Sequence, residues 1–548
     1  MKWFSHIKNW GPALCFCLIV GPAHAFCGFY AGKADASLFN EASQVVVARD
    51  GNRTVLSMLN DYNGPLSDFV LVVPTPVPLK QGQVRIADKA VFEHLDAYSS
   101  PRLAEYNDDD PCRVDFSWGQ NIYPAAPMAY SADGMVAMKA RSETRDRALG
   151  VTVEARYTLE EYDIVSLSAK QSDGLETWLR ENGYKIPKGA SEALKPYINQ
   201  GMKFFVAKVN LKEQMKTGYS TLRPLQFAFE SEKFMLPMRL GMLNAPPGKA
   251  QDLIVYLMTR NGRVESSNYR TAKLPANVNL PDFVKPKFQD FYKAMFDKAA
   301  RTEDYRVAFT EYFWNMGWCD PCAAQPLSRE ELMKAGVFWL DGDVGQNFNA
   351  MQNSAGSPVP MSRVVGGQAQ PVMLTRLHVR YTPRTFPEDL MFTQTRDSEN
   401  WQARYVIQNP YGGSVSECTA RVGQMNCESM CGSRISQVRE WLNHGDPQSL
   451  PPTYQSRKPP ALWDECMAAC KASKAQGVEA AVRYYRNELP RRIAHEKQTL
   501  AQLTGWTLHD IDAMPGADRY ALAYPNSSSL VDGAAPAEPS WWQKFFAQ

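Results

Sequence analysis

Two cysteines separated by two residues are the first candidates for chemistry in this sequence. Trp318-Cys319-Asp320-Pro321-Cys322 has the W-C-x-P-C pattern of thioredoxin-type sites, in which a thiolate at a helix N-terminus attacks disulfide bonds. The pattern by itself leaves three interpretations open. The pair Cys319 and Cys322 is a redox centre, a structural disulfide across a turn, or a pair of metal ligands or a switch.

The residues around this pair favour the structural disulfide. Ser328 with Glu331 predicts a capping box, and Leu327 with Leu332 predicts the matching hydrophobic staple, so the helix should begin at about Ser328. The pair then precedes the helix and lacks the helix N-terminus that would stabilise a thiolate. Asp320 between the two cysteines adds a negative charge that disfavours a second one. Since Asp-Pro is a turn sequence, we expect a chain reversal closed by a disulfide.

Four further cysteines have helical spacing. Cys427 and Cys431 lie one turn apart in one predicted helix, and Cys466 and Cys470 lie one turn apart in a later one. If the two helices are antiparallel, an outer bond Cys427–Cys470 and an inner bond Cys431–Cys466 can join them. A different pairing and a four-thiolate zinc site stay open, although zinc spacings are more often C-x-x-C.

The N-terminal residues predict export. Lys2 and Lys8 precede the short apolar run "ALCFCLIV", and Ala23-His24-Ala25 is a small-x-small cleavage signal. We therefore interpret residues 1–25 as a signal peptide and expect an exported protein, periplasmic or extracellular. No segment is apolar for the roughly 20 residues that a transmembrane helix needs.

Export bears on the remaining cysteines, because most cysteines pair in an oxidising compartment. Of 11 cysteines, Cys15 and Cys17 leave with the signal peptide and an odd number remains. Cys27 and Cys112 are the expected partners, which would tie the mature N-terminus to the first domain. Cys418 is then the unpaired candidate, either as an interchain or reactive thiol or as a buried free cysteine.

Charge and motifs exclude several classes of function. After removal of residues 1–25 the chain has 58 basic and 58 acidic residues, whereas nucleic-acid-binding domains usually show a basic excess. The sequence has no phosphate loop, no dinucleotide fingerprint and no H-E-x-x-H motif, so we expect neither a cofactor nor a metal. Weak calcium candidates are Asp108, Asp109 and Asp110, since carboxylates are calcium ligands.

The pattern of elements predicts an α+β fold. The N-terminal and middle regions are rich in strands with interspersed helices, and the region after Cys418 is mainly helical. Asp50-Gly51-Asn52 predicts a hairpin, and the aromatic residues of 288–296 follow the i, i+3, i+4 spacing of a helix. The predicted domains are the signal peptide 1–25, an α+β domain 26–300, a strand-rich region 301–415 that contains the C-x-x-C loop, a helical region 416–515 and a tail 516–548.

The tail changes in composition. A stretch rich in Ser, Ala and Pro reads as a flexible linker, and the aromatic run Trp541–Phe546 follows it. Such a run is typical of a segment that docks in a groove or contacts a membrane interface. Peripheral membrane contact through this tail is therefore one hypothesis, and disorder or docking on protein is the other.

Several segments together resemble a known family: "VVVARDGNRTVLSMLNDYNGPLSDFVLVVPTPVPL", "AVFEHLDAYSSPRLAEYNDDDPC", "IVSLSAKQSDGLETWLRENGYKIP", "FESEKFMLPMRLGMLNA", "GRVESSNYRT", "CDPC", "ARYVIQNP" and "LTGW". The chain resembles the exported bacterial family called domain of unknown function 2330, over roughly residues 26–515. The resemblance implies an extracytoplasmic bacterial protein, and it carries over no catalytic residue.

Two hypotheses follow. The first is an exported, disulfide-stabilised binding or structural protein, whose ligand is an unknown protein or small molecule. It is favoured because the sequence combines a cysteine framework with no recognisable catalytic constellation, so an enzyme is the less favoured class. The alternative is an extracytoplasmic thiol–disulfide oxidoreductase that uses Cys319 and Cys322.

Overall fold

The structure is a computed structural model, and it describes residues 29–32, 42–60, 69–114, 116, 151–181, 189–210, 212–213, 222–244, 250–318, 320, 325–342, 370–444 and 459–519. The chain divides into two compact units. Unit 1 is drawn from Met1–Phe92, Arg141–Tyr256 and His378–Met391, and unit 2 from Glu93–Ala140, Leu257–Leu377 and Phe392–Gln548. The linear domain boundaries given above stay a prediction.

The strands are β1 (Phe29–Gly32), β2 (Ala42–Asp50), β3 (Arg53–Asn60), β4 (Phe69–Thr75), β5 (Val84–Ile86), β6 (Arg102–Asn107), β7 (Val151–Leu159), β8 (Tyr162–Ala169), β9 (Lys203–Val209), β10 (Leu225–Glu230), β11 (Met235–Leu236), β12 (Gln251–Thr259), β13 (Val264–Ser266), β14 (Arg270–Lys273), β15 (Val278–Leu280), β16 (Val307–Asn315), β17 (Met373–Tyr381), β18 (Leu390–Gln394), β19 (Trp401–Gln402) and β20 (Arg404–Asn409).

The helices are α1 (Lys89–Ser99), α2 (Ser172–Glu181), α3 (Ala190–Asn199), α4 (Phe288–Thr302), α5 (Arg329–Lys334), α6 (Val415–Gly423), α7 (Cys427–His444), α8 (Pro459–Arg483), α9 (Leu489–Thr504) and α10 (Leu508–Asp512). A π-helical turn, Tyr484–Glu488, lies between α8 and α9. The fold is α+β, with strands in the N-terminal and middle regions and a mainly helical C-terminal region, as the sequence predicts. Within the described residues, no helix has the length and apolar character that crossing a membrane requires.

Unit 1 contains a five-stranded antiparallel sheet in the order β1-β4-β9-β8-β7. The central strand β9 is almost continuously apolar and buried, as expected for a strand with both faces covered. Leu175 and Leu179 of α2 and Leu194 of α3 form one core cluster with Phe204 and Val206 of β9. Each such buried side chain contributes about 1.5–3 kcal/mol to folding.

Unit 1 also contains the predicted hairpin. β2 and β3 pair antiparallel up to Asp50 opposite Arg53, with Gly51 and Asn52 as the two-residue turn. Gly51 has φ +56°, which favours glycine. β10 pairs with β3, and β5 pairs with β10. The prediction at Asp50-Gly51-Asn52 is confirmed.

Unit 2 uses parallel pairing, which requires long connections between the paired strands. β14 pairs parallel with β16, and the connection between them includes α4. A separate sheet, β15-β20-β6, is also parallel. The α4 residues Phe291, Met295 and Phe296 are fully buried in one cluster with Tyr405 of β20 and Leu500 of α9. The predicted amphipathic helix at 288–296 is therefore confirmed.

One predicted strand is interrupted. The sequence "RVESSNYRT" reads as a single strand, but the structure has β13 and β14 with a bend between them. The backbone N–H of Tyr269 donates to Ser266 Oγ (3.1 Å), and the N–H of Ser266 donates to Thr271 Oγ1 (3.0 Å). These local side-chain contacts compete with strand pairing, and they explain the break.

Candidate functional site: a polar groove beside Trp318

The structure describes the residues on either side of Cys319, whereas Cys319 and Cys322 themselves lie outside the described residues. Trp318 is 39% exposed. Asp320 is buried, and its carboxylate accepts hydrogen bonds from the Tyr312 hydroxyl (3.1 Å) and from Gln402 Nε2 (3.2 Å). A hydrogen-bonded carboxylate therefore lies within the C-x-x-C segment.

The helix that follows begins where the sequence predicts. Ser328 is the N-cap of α5, and its hydroxyl accepts a hydrogen bond from the N–H of Glu331 (3.2 Å). The Glu331 carboxylate accepts in return from the N–H of Ser328 (2.8 Å), which completes the capping box. Cys319 therefore precedes α5 by several residues. In thioredoxin-type sites a cysteine lies at the helix N-terminus and is activated by it, whereas here Ser328 occupies that position.

A groove of about 890 Å³ opens beside this segment in unit 2. Its volume lies within the range of small-molecule sites, roughly 300–1,000 Å³. The lining is polar and combines guanidinium, carboxamide and hydroxyl groups with one exposed indole. The residues that supply these groups are Arg260, Arg396, Asn261, Asn315, Gln394, Asn400, Thr395, Ser398 and Trp318.

One wall of the groove is fixed by a glycine turn between β12 and β13. Gly262 has φ +76°, and a Cβ at this position would lie 2.0 Å from the carbonyl oxygen of Thr395. The N–H of Thr395 donates to the carbonyl of Arg263 (2.7 Å), and the N–H of Arg263 donates to the carbonyl of Asp397 (2.7 Å). The turn and the segment after β18 are therefore in direct backbone contact.

The opposite wall is formed where β16 ends. The carboxamide oxygen of Asn315 accepts from the N–H of Gly317 (2.9 Å), and that of Asn400 accepts from the N–H of Asn315 (2.9 Å). The N–H of Trp318 donates to the carbonyl of Asn315 (2.9 Å), which holds the indole at the rim. Both carboxamides use their oxygens on the backbone, so their NH₂ groups are the donors suited to a ligand.

Two guanidinium groups make the groove basic. The Arg260 guanidinium lies over the Trp339 ring, 5.6 Å from its centroid, and Arg396 is exposed. No carboxylate is found among the described residues that line the groove. The neighbouring Asp397 forms an ion pair with Arg263 (3.0 Å) outside that lining. The groove therefore favours an anionic or hydrogen-bond-accepting ligand.

Two of the predicted calcium candidates, Asp108 and Asp110, lie in a different place and accept hydrogen bonds from protein donors. Arg492 donates to both carboxylate oxygens of Asp108 (2.8 Å each), and the Tyr484 hydroxyl also donates to Asp108. Burial raises the pKa of Asp108, but these hydrogen bonds outweigh it and hold the pKa below its usual value. Asp110 accepts from Arg421 (2.6 Å). Within the described part of the chain, no three His, Cys, Asp or Glu side chains are grouped as metal ligands.

A buried carboxyl group lies beneath this ion pair. Glu496 is 1% exposed, and its Oε1 lies 3.6 Å from Nε of Arg492. Burial raises the pKa of Glu496 to about 8, although the positive charge of Arg492 lowers it. Glu496 therefore stays protonated through neutral pH. Sequence reasoning missed this group, because a glutamate in a polar helical stretch looks solvated.

The helical cysteines form the two bonds that their spacing favours. Cys427 bonds to Cys470 and Cys431 bonds to Cys466, each with 5.8 Å between Cα atoms, a usual disulfide separation. The first cysteine of α7 bonds to the second cysteine of α8, and the second of α7 bonds to the first of α8. The two helices therefore run antiparallel. We call these two bonds the disulfide staple; its cysteines are buried together with Ile435.

The structure corrects the expectation for the other cysteines. Cys418 is bonded to Cys112, so it is not the unpaired cysteine, and Cys112 is not the partner of Cys27. Parallel pairing of β6 with β20 ends at Asn107 opposite Asn409. The segment after β6 then continues to Cys112, and the segment after β20 continues to Cys418. Cys27 lies outside the described residues.

The groove was not predicted from the sequence. Its residues come from segments far apart in the chain, near positions 260, 315 and 395. The one local signal was the Asn261-Gly262 turn between two predicted strands, which indicates a tight turn but no binding site.

The fold and its bonds define this chain as an α+β, disulfide-stabilised protein. Residues 21–393 match a family described as "Uncharacterized protein conserved in bacteria (DUF2330)". That match covers more than half of the chain, so the chain belongs to this family. It ends before the disulfide staple, whereas the resemblance seen in the sequence extends to about residue 515. No curated protein and no solved structure matches the chain.

Proposed function

We propose that this protein is an exported, disulfide-stabilised binding protein whose ligand occupies the groove beside Trp318. The observation that carries the proposal is the combination of an exposed indole with two guanidinium groups and four carboxamides around one cleft of about 890 Å³. Binding sites typically place a few fixed polar groups around an aromatic surface. The backbone contacts at Gly262 and Asn315 hold these groups before any ligand arrives.

Export is supported by the pattern of residues 1–25 and by the disulfides. Bonds such as Cys112–Cys418 and the disulfide staple form and persist in oxidising compartments. A periplasmic or extracellular location follows from this proposal. Fractionation of cells that express the full chain, with alkylation of free thiols before lysis, tests it. Free thiols at Cys431 and Cys466 in the native host would contradict it.

A panel of small ligands tests the groove. Purified mature protein is screened by thermal shift against sugars, short peptides, nucleotides and carboxylic acids, with Trp318→Ala and Trp463→Ala in parallel. Trp463 is the matched control because it is 38% exposed and lies on α8, away from the groove lining. We expect at least one ligand class to stabilise the wild type and Trp463→Ala but not Trp318→Ala. Equal shifts in all three proteins would place binding elsewhere.

The oxidoreductase alternative is kept because Trp318 lies both in the groove lining and next to Cys319. Alkylation and peptide mapping in a glutathione redox series distinguishes the two functions. A structural disulfide between Cys319 and Cys322 stays closed until potentials below about −300 mV, whereas a catalytic one opens near the potentials of known oxidoreductases. Opening at the higher potentials, while the disulfide staple holds, would favour the oxidoreductase.

The tail is a separate proposal, and Trp541–Phe546 lie outside the described residues. Peripheral membrane contact predicts that deletion of residues 526–548 reduces partition onto liposomes. Unchanged partition would exclude this role.

A further inference from the structure

We propose that Glu496 and Arg492 of α9 form a proton-controlled latch, in which loss of the Glu496 proton draws Arg492 away from Asp108 and loosens α9 from the end of β6. All three residues belong to unit 2, and none of them lines the groove beside Trp318. The latch therefore does not depend on the function proposed for that groove.

The Arg492 guanidinium is divided unequally between two carboxyl groups. Its terminal nitrogens donate to both oxygens of Asp108, at 2.8 Å each. Its Nε lies 3.6 Å from Oε1 of Glu496, which is beyond the range of a normal hydrogen bond. Both of these atoms are buried, and neither has a hydrogen-bond partner in the described part of the chain. A donor without a hydrogen bond therefore lies close to an acceptor without one.

Burial keeps the proton on Glu496 at neutral pH. The residue is 1% exposed, and removal from water raises the pKa of Glu496 to about 8, although the charge of Arg492 lowers it. A protonated carboxyl group is neutral, whereas a buried carboxylate is very costly unless it is paired. When the pH rises above about 8, the ionised Glu496 therefore needs the charge of Arg492.

The charges around Glu496 come from several elements. Asp108, after β6, and Asp282, in the 3₁₀ turn Asp282–Lys287 before α4, are negative, so each raises the pKa of Glu496. Among the described residues, Arg492 supplies the positive charge that acts on Glu496.

Other charged or titratable groups on α9 and its neighbours have partners elsewhere. Lys298 of α4 donates to the carbonyl of Gln502, and Lys497 pairs with Asp512 of α10 (2.6 Å). In and beside the π-helical turn, Glu488 pairs with Arg483 (3.4 Å). β15 has the sequence Val-Asn-Leu and carries no titratable side chain. The ionised Glu496 would therefore compete with Asp108 for one guanidinium.

Asp108 is better able to give up part of that guanidinium. Its side chain is 10% exposed and lines a cavity of about 440 Å³, where solvent can hydrate it, and the Tyr484 hydroxyl also donates to it. Glu496 is not part of this lining. Because a guanidinium is rigid and planar, a shift of Nε toward Glu496 weakens the paired bonds to Asp108. Those bonds join α9 to the segment after β6, so this contact loosens.

Hydrogen–deuterium exchange of the full mature chain at pH 6 and pH 9, read by mass spectrometry, tests this inference. Labelling times are scaled for the intrinsic exchange rate at each pH. We expect peptides that cover residues 106–111 and 489–496 to lose protection by about ten-fold at pH 9, since hydrogen bonds between charged groups contribute about that factor. Peptides of α2 in unit 1 are the internal reference and should keep their protection.

Three variants identify the cause of the loss. Glu496→Gln is neutral at both pH values, so it should keep at pH 9 the protection that it has at pH 6. Glu479→Gln, at an exposed position of α8, is the matched control and should lose protection as the wild type does. Asp108→Asn lacks the paired bonds and should have low protection at both pH values. It keeps the inference testable if Glu496→Gln does not fold.

The proton itself is measured by infrared difference spectra between pH 6 and pH 9. The wild type should lose a protonated-carboxyl band that Glu496→Gln does not have. No such band, or a band that disappears with no change in protection, would overturn the latch. A loss of protection at pH 9 that is as large in Glu496→Gln or Asp108→Asn as in the wild type would also overturn it.

Discussion

His94 and Glu331 are joined by a contact of 2.8 Å between Nδ1 and Oε1. The other ring nitrogen of His94 lies 2.8 Å from the carbonyl oxygen of Gln325. Both partners are acceptors, so both contacts are hydrogen bonds only when the imidazole carries two protons. This bridge links α1 to the start of α5 just after the C-x-x-C segment.

The first prediction concerns Glu331 and acid stability. Burial raises its pKa, but hydrogen bonds from His94 and Ser328 lower it to about 2. Because its pKa is lower in the folded state, Glu331 stabilises the fold at pH values above its unfolded-state pKa of about 4.3. This stabilisation is lost as pH falls through about 2. Because Glu331 is about one-third exposed, Glu331→Gln should lower the free energy of unfolding at pH 7 by about 1–2 kcal/mol.

Urea unfolding at pH 7 and at pH 2–3 measures this change. The difference between wild type and Glu331→Gln should shrink on acidification. Glu330→Gln is the matched control, because Glu330 lies on the same helical turn and its side chain is 78% exposed. A loss for Glu331→Gln that is equal at both pH values would show that packing, and not charge, is responsible.

Glu496 should have the opposite pH dependence. Burial raises its pKa to about 8, so the folded protein holds this proton more tightly than the unfolded chain. The associated stability is present below the unfolded pKa and is lost as pH rises through about 8. The free energy of unfolding of Glu496→Gln, measured relative to that of the wild type, should therefore rise by on the order of 2–4 kcal/mol between pH 5 and pH 9.

Thermal and urea unfolding across this pH range measure the gain. Glu479→Gln, at an exposed position of α8, should follow the wild type. A Glu496→Gln protein that loses stability with rising pH as steeply as the wild type would refute a protonated Glu496.

Two glycines with nearly the same backbone angle test the groove wall. Gly262 has φ +76° and Gly505 has φ +79°, so an alanine at either position is strained by a similar amount. Only at Gly262 would the added Cβ lie 2.0 Å from a backbone carbonyl oxygen, that of Thr395. Gly505→Ala should cost about 1 kcal/mol, and Gly262→Ala at least about 2 kcal/mol more. Urea unfolding measures both, and equal losses would contradict the close approach.

In the disulfide staple, the contribution of each bond to the free energy of unfolding should depend on whether the other bond is intact. With one bond intact, the other closes only a small ring, so replacing Cys431 and Cys466 by serine should cost roughly 2–3 kcal/mol. Replacing all four cysteines also opens the longer loop and should cost roughly 5–7 kcal/mol. Urea unfolding without reductant measures these losses, and the same series in reductant isolates the effect of serine itself. Equal losses for two and four replacements would contradict the nested arrangement.

The sequence predicted those features that depend on local spacing. The capping box at Ser328 and Glu331, the helix at 288–296 and the hairpin at Gly51 all follow from residues a few positions apart. The disulfide staple also follows from spacing, since C-x-x-x-C places two sulfurs on one helix face.

The remaining features depend on contacts between distant segments. Cys112 and Cys418 are separated by 306 positions, and only the parallel pairing of β6 with β20 brings them together. The groove joins Arg260 to Arg396 through another long-range contact, the antiparallel pairing of β13 with β18. No periodicity or motif near either arginine indicates the other, because the paired segments are far apart in the chain: Arg263 and Thr395, which are in contact, are separated by 132 positions.

The π-helical turn at Tyr484–Glu488 sets the rotational register of α9 relative to α8. The turn holds one residue more than an α-helical turn would, so α8 and α9 are out of phase by about 100°. Deleting a single residue there would restore a continuous α-helix and rotate every side chain of α9 about its axis. Arg492 would then leave Asp108, and Leu500 would turn out of the core. The length of this one turn, and not its composition, sets the register of the last helix.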